Sequence, residues 1–256
     1  RSTLFPYTTL FRSLADVRIF RDETAAGKGS AEFVANHLYD AIQAKGHANL
    51  ILATGTSQFA FIEAIKTFSV DWSKITVFHL DEYKDLPETH RACFRKYLRE
   101  RILDEVKPHQ VYYINGDAED IEGEIARYEK RLAAATIHVA CIGIGENGHI
   151  AFNDPDVADF DDPHLVKIVQ LDDISRRQQL TEGWFSTLEE VPREAISLTI
   201  PAIMRCKAIS CMVPEKRKAD AVYNTLNAEI STACPATILR RHPHTVLSAK
   251  DRKSVV

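Results

Sequence analysis

Short apolar runs alternate along the chain with longer stretches in which apolar residues recur every three or four positions. The runs at 49–53 (N-L-I-L-A), 75–80 (I-T-V-F-H-L), 137–142 (I-H-V-A-C-I), 195–200 (A-I-S-L-T-I) and 208–213 (A-I-S-C-M-V) are rich in β-branched residues and bounded by polar turns. They predict buried strands. Residues 17–20 add a first strand, 111–114 a short one and 165–171 another, with a last edge strand at 246–247. Between them, Phe33, Val34, Leu38 and Ile42 recur at helical spacing within 22–45, and Phe94, Tyr97, Leu98 and Ile102 do so within 91–105. Helices are also expected at 58–68, 118–135 and 215–227, with a short one opened by Pro201 and a polar segment of helix or loop at 175–187. This alternation predicts an α/β fold: a doubly wound, Rossmann-like three-layer domain with a mostly parallel central sheet.

The 256 residues carry a net charge of -4, with 45% hydrophobic and 27% charged positions. No basic field favours nucleic acid, and no apolar run approaches the roughly 18 residues of a membrane span. The five cysteines are scattered, odd in number and without a C-x-x-C pair, which fits reduced thiols and a cytoplasmic protein. The ten histidines show no metal-ligating spacing, so no metal is assigned. Residues 1–13 and 251–256 resemble translated adaptor sequence and are set aside as non-native ends, leaving one domain over 14–249. The sequence leaves self-association into a homo-oligomer open.

Unusual chemistry gathers where strands end. The run at 137–142 passes into G-I-G-E-N-G-H-I-A-F-N-D-P, where Gly143, Gly145 and Gly148 punctuate a loop carrying Glu146, Asn147, His149, Asn153 and Asp154. In open α/β sheets ligands sit beyond the carboxyl ends of strands. Histidine is the side chain suited to shuttling a proton near neutral pH, and either Asp154 or Glu146 can orient it. A second loop, Thr54, Gly55, Thr56 and Ser57, precedes a helix and reads as an anion cradle or as an ordinary helix cap. At a third strand end, Asp81 and Glu82 offer a general base or a solvated turn. Downstream, Lys218 and the pair Arg176–Arg177 can close on a phosphate or serve as surface charge. No G-x-S-x-G elbow occurs, so acid–base chemistry on an anionic small molecule fits better than acyl transfer.

Taken together, L-A-T-G-T-S at 52–57, H-L-D-E-Y at 79–83, the glycine motif at 143–155, R-K-A at 217–219 and the pair His242–Pro243 resemble the glucosamine-6-phosphate deaminase (isomerase) family, within the wider group that includes 6-phosphogluconolactonases. The likeness runs from about residue 14 to 247. D-E-Y and G-H-I-A-F-N-x-P mark the deaminase branch, whereas the lactonase branch more usually has D-E-R and G-H-x-A-S-L-F-P. The resemblance implies that His149 opens the sugar ring, that Asp81 moves a proton between C-2 and C-1, and that no metal or organic cofactor is needed. It further implies that Thr54, Gly55, Thr56 and Ser57, with Lys218 and an arginine (Arg177 is favoured), hold the phosphate. A sugar phosphate is the expected partner.

Two positions depart from the family pattern. Asn147 stands where the family has an aspartate, and Asp154 where it has a glutamate. Both acids assist the histidine in the family. Asparagine can accept a hydrogen bond but cannot ionise, and aspartate is one methylene shorter. The ring-opening apparatus is therefore altered, whereas the base Asp81 remains. Lactone hydrolysis and sugar-phosphate sensing without turnover are the competing functions.

Overall fold

A computed structural model describes residues 16–251. The stretch 1–13 and residues 252–256, expected above to be non-native, lie outside the described residues. Seven strands form one wholly parallel sheet in the order β1-β10-β9-β6-β2-β3-β5. They are β1 (Asp16–Phe20), β2 (Ala48–Leu52), β3 (Ile75–His79), β5 (Gln110–Tyr112), β6 (Val139–Ile142), β9 (Ala208–Val213) and β10 (Thr245–Lys250). A smaller antiparallel sheet, in the order β4-β8-β7, is built from β4 (Asp81–Tyr83), β7 (Val166–Gln170) and β8 (Glu194–Leu198).

Both faces of the parallel sheet are covered. Along β2, Leu50 and Leu52 enter one core while Ile51 and the following Ala53 enter the other, as the two-residue period of a strand dictates. The first core is closed by α1 (Glu23–Lys45), α2 (Phe59–Ile65) and α3 (Phe94–Leu98), through Val34, Leu38, Phe61, Ile62 and Tyr97. Here α3 runs through a π turn at Arg99–Leu103 into the short α4 (Asp104–Val106), which resolves the single helix expected at 91–105. The second core takes Tyr128 and Leu132 of α5 (Ile121–Ala133), Ile203 of α7 (Ile200–Met204), Ala221 of α8 (Ala219–Asn227), and Ile196 and Leu198 of β8. The remaining helix, α6 (Asp173–Thr181), occupies the first part of the polar segment expected as helix or loop.

Local capping explains several boundaries. Asp22 accepts from the Ala25 N–H at 2.7 Å and opens α1, which Gly46 ends in the left-handed region. Thr199 caps α7, with Pro201 in its first turn.

Two expectations are corrected. The strand read at 246–247 is no edge: it extends over Thr245–Lys250 and lies between β1 and β9. Asp81, Glu82 and Tyr83, read as a strand end, are themselves a strand: the chain leaves the parallel sheet at Leu80, whose carbonyl accepts from the Leu198 N–H at 3.1 Å, and pairs antiparallel to β8.

Sheet order also locates a crevice. From β2 the chain proceeds outward through β3 to β5, then returns to place β6 on the opposite side of β2. The carboxyl ends of β2 and β6 thus flank a topological switch point, where open α/β sheets bind ligands. Among the described residues no helix is long and apolar enough to cross a membrane.

Candidate active site

The three loops named from the sequence meet at this switch point. One pocket is lined by Thr54, Gly55, Thr56 and Ser57 after β2, Asp81 after β3, and Gly143, Gly145 and His149 after β6, together with Lys218. Gln178, Gln179 and Glu182, from α6 and its C-terminal end, complete the wall. These last three belong to no motif in the sequence.

Asp81 is buried, and no hydrogen bond from the protein steadies its carboxyl among the described residues. Burial, reinforced by the adjacent Glu82 charge, pushes that carboxyl up to about 8. Glu82 is equally buried but differently used. Its carboxylate accepts from the backbone N–H groups of Tyr83, Phe94 and Arg95 and lies 3.5 Å from the Arg95 guanidinium. Glu82 therefore anchors the start of α3, and Asp81 is the carboxyl that faces the pocket.

His149 is held from behind. Its Nδ1 lies 2.8 Å from Asp154 Oδ1 and 2.8 Å from Ser175 Oγ, which leaves Nε2 for a ligand. Ser175 donates to Asp154 Oδ1 at 2.5 Å, and Asn147 Nδ2 donates to the same oxygen at 2.9 Å. Burial alone would raise the Asp154 carboxyl, but the bonds from His149, Asn147 and Ser175 outweigh it and bring it down to about 2. Asp154 is thus ionised and fixes the imidazole tautomer and orientation. Of the two acids able to orient His149, the structure uses Asp154. Glu146 instead pairs with Arg217 at 2.5 Å.

Gly145 is required by the closeness of that ring. A Cβ there would lie 2.1 Å from His149 Cε1 and 2.2 Å from Nε2, so no side chain fits without displacing the imidazole. Gly55 is required by its backbone, with φ at 94° ahead of the turn that carries Thr56 and Ser57.

The same pocket also holds a cation, counterbalanced by a carboxylate. Lys218 is buried and lies in a tight turn just before α8, with Nζ 3.4 Å from Glu215. Glu215 also accepts from Thr56 Oγ1 at 3.0 Å, tying the threonine loop to the lysine turn. Arg217 spans Glu146 and Glu182 and lies 3.7 Å from Glu215, the carboxylate that also meets Lys218. Gln178 links the same elements, accepting from the Glu146 N–H and donating to Glu182. Arg177 is exposed on α6 and does not line the pocket. Its neighbour Arg176 is buried, donating to the Leu188 and Val191 carbonyls. Neither member of the pair therefore lines the cradle.

Comparison with known proteins places this geometry. Residues 21–247 match the family model described as glucosamine-6-phosphate isomerases/6-phosphogluconolactonase. A glucosamine-6-phosphate deaminase of Bacillus cytotoxicus is 36% identical over 208 residues, covering 81% of this chain and 78% of the relative. One from Bacillus cereus is 36% identical over 210 residues, covering 82% and 78%. Among solved structures, a monomeric glucosamine-6-phosphate deaminase superposes with a TM-score of 0.82 at 27% identity, covering 93% of this chain and 98% of that one. A putative 6-phosphogluconolactonase from Neisseria gonorrhoeae shares the fold, with a TM-score of 0.74 at 18% identity over 92% of this chain and 99% of that one.

Proposed function

The chain belongs to the glucosamine-6-phosphate isomerase/6-phosphogluconolactonase family, and from that premise we propose that it converts an amino-sugar 6-phosphate, glucosamine 6-phosphate, to fructose 6-phosphate and ammonia. The choice within the family rests on the D-E-Y and G-H-I-A-F-N-x-P motifs and the deaminase relatives at 36% identity, and the observation that carries the C-2 chemistry is Asp81. It is a buried carboxyl, free of protein hydrogen bonds among the described residues, in the same pocket as His149. Lactone hydrolysis needs an acid–base histidine but has no proton to move at C-2. Deamination needs both groups.

In this reading His149 Nε2 takes the proton of the C-1 hydroxyl and delivers one to the ring oxygen, opening the hemiacetal. Asp154 stabilises the imidazolium that forms in between. Asp81, ionised, then removes the C-2 proton to give an enolamine and returns a proton to C-1. The resulting imine at C-2 adds water and expels ammonia, so substrate plus water balances fructose 6-phosphate plus ammonia. Thr54, Gly55, Thr56, Ser57 and Lys218 are the proposed phosphate contacts, and Arg177 is not among them. No step in this scheme calls for a metal or an organic cofactor. Five buried, unpaired cysteines support the reducing cytoplasm as its compartment.

The test offers the protein glucosamine 6-phosphate and a 6-phosphogluconolactone side by side. Release of ammonia and fructose 6-phosphate is expected, with Asp81→Asn losing about 10²–10⁴-fold in turnover. Lactone hydrolysis without ammonia release, or full deaminase activity in the variant, refutes the reading.

A further inference from the structure

Asn147 uses both ends of its amide. Its Nδ2 donates to two carboxylates at once, Asp154 at 2.9 Å and Asp172 at 2.7 Å, while its Oδ1 accepts from the His149 N–H at 3.0 Å. Turning the amide over would set its oxygen against both carboxylates and its NH₂ against an N–H, so the network fixes its orientation. Asp172 is tied in from both sides. Its Oδ1 accepts from the Ser175 N–H at 2.6 Å, capping α6, and its own N–H donates to Asp154 Oδ2 at 3.0 Å. The Ser175 hydroxyl bridges Asp154 and His149 Nδ1.

The arrangement is one imidazole, two carboxylates and a bracket of N–H and O–H donors that keeps the carboxylates adjacent. Those donors turn N–H and O–H groups toward both carboxyls. We propose that Asp172 is a positioning residue of ring opening, supplying through Asn147 the second negative charge that the family resemblance assigns to position 147 itself. The charge has moved one contact away from the histidine, and the asparagine is what makes the move compatible with Asp154. This rests on the reading that His149 opens the ring.

The other charged groups near this cluster are otherwise engaged. Glu146 is paired with Arg217, Asp173 is exposed with Arg176 Nη1 at 3.3 Å, and Arg176 holds backbone carbonyls.

Three variants test the proposal. Asp172→Asn keeps the cap to Ser175, since asparagine caps as well as aspartate, but sets an NH₂ against the Asn147 NH₂. It should lose about tenfold or more in kcat/KM on cyclic glucosamine 6-phosphate. Because ring opening becomes the slower step, the deuterium isotope effect measured with substrate labelled at C-2 should shrink toward one. Asn147→Asp should also lose about tenfold or more, as it puts a third carboxylate into contact with two. The double variant Asn147→Asp/Asp172→Asn restores a donor between those positions and should recover most of the loss. Overturning results are an unchanged isotope effect in a slowed Asp172→Asn, an Asn147→Asp as active as the parent, or losses that multiply in the double variant. Should Asn147→Asp fail to fold, Asp172→Asn carries the test alone. A parent without ammonia release refutes the proposed function but not the network. The ring ¹⁵N signals of His149 must then still shift between parent and Asp172→Asn, and identical signals overturn the inference.

Discussion

The ionisation of Asp81 gives the sharpest quantitative test of the site. Burial and the Glu82 charge place its carboxyl at about 8, against an ordinary value of 3.8. The ionised form is the base, and it is the minor form wherever pH lies below the shifted value. A group titrating at about 8 is roughly one-hundredth ionised at pH 6, one-tenth at pH 7 and half at pH 8. For the free enzyme, kcat/KM should therefore climb about tenfold from pH 6 to 7 and level off only above pH 8. Bound substrate brings an ammonium to C-2, and an opposite charge within about 4–6 Å favours the ionised carboxylate. The corresponding limb of kcat should then lie at lower pH than that of kcat/KM. The amine of the free sugar titrates in the same range as an α-amino group, about 8, so kinetics alone would confound the two. Carboxyl ¹³C signals of aspartate-labelled protein, recorded without substrate and compared with Asp81→Asn, separate them. A signal absent from the variant and moving near pH 8 is expected. If that signal moves near pH 4 instead, the desolvated-base argument fails.

Two further substitutions probe the pocket's ends. Gly145→Ala inserts a methyl 2.2 Å from His149 Nε2 and should lower kcat about 10²-fold through ring displacement of about 1 Å, with far-ultraviolet circular dichroism unchanged; full activity would show that the ring is free to move. Lys218→Ala should raise KM for the phosphorylated sugar more than it lowers kcat, by about 1.5–3 kcal/mol for a charged hydrogen bond. Unaltered steady-state kinetics would remove Lys218 from the phosphate site.

Much of the fold was legible because buried parallel strands announce themselves as continuous apolar runs. Leu50, Ile51 and Leu52, or Val139, Ala140, Cys141 and Ile142, must be apolar at every position, since each face of the sheet is covered. Two strands of the small antiparallel sheet were legible in the same way, at 165–171 and 195–200, but its third strand and its pairing were not. Asp81, Glu82 and Tyr83 form a strand without apolar alternation, and its partner at Ala195, Ile196 and Ser197 is more than a hundred residues away. Such pairing depends on where the chain crosses back, which no local pattern records. At β10, Ser248 and Lys250 blurred a strand whose place in the sheet interior is set by its two neighbours.

The site divides along the same line. Residues inside a compact motif, His149 with Asp154 and the threonine loop, could be found by proximity in sequence. Asp172, Ser175, Gln178 and Glu182 lie in a polar segment without a motif, and the usable signal was an aspartate three residues before a serine, the spacing of an N-cap and its third helical residue. Arg177 shows the limit of reading such a segment by charge alone. A phosphate contact needs a direction as well as a cation, and direction on a helix follows from which face is buried. Gln178 and Gln179 of α6 are buried against the pocket, whereas Arg177 is exposed. The same reasoning recasts Asn147. Taken as one position of a motif, it is an acid lost. Taken as a contact, it is the donor that Asp154 and Asp172 share. A residue's role is fixed by what surrounds it, so a departure from a motif is interpretable only with the compensating partner in view.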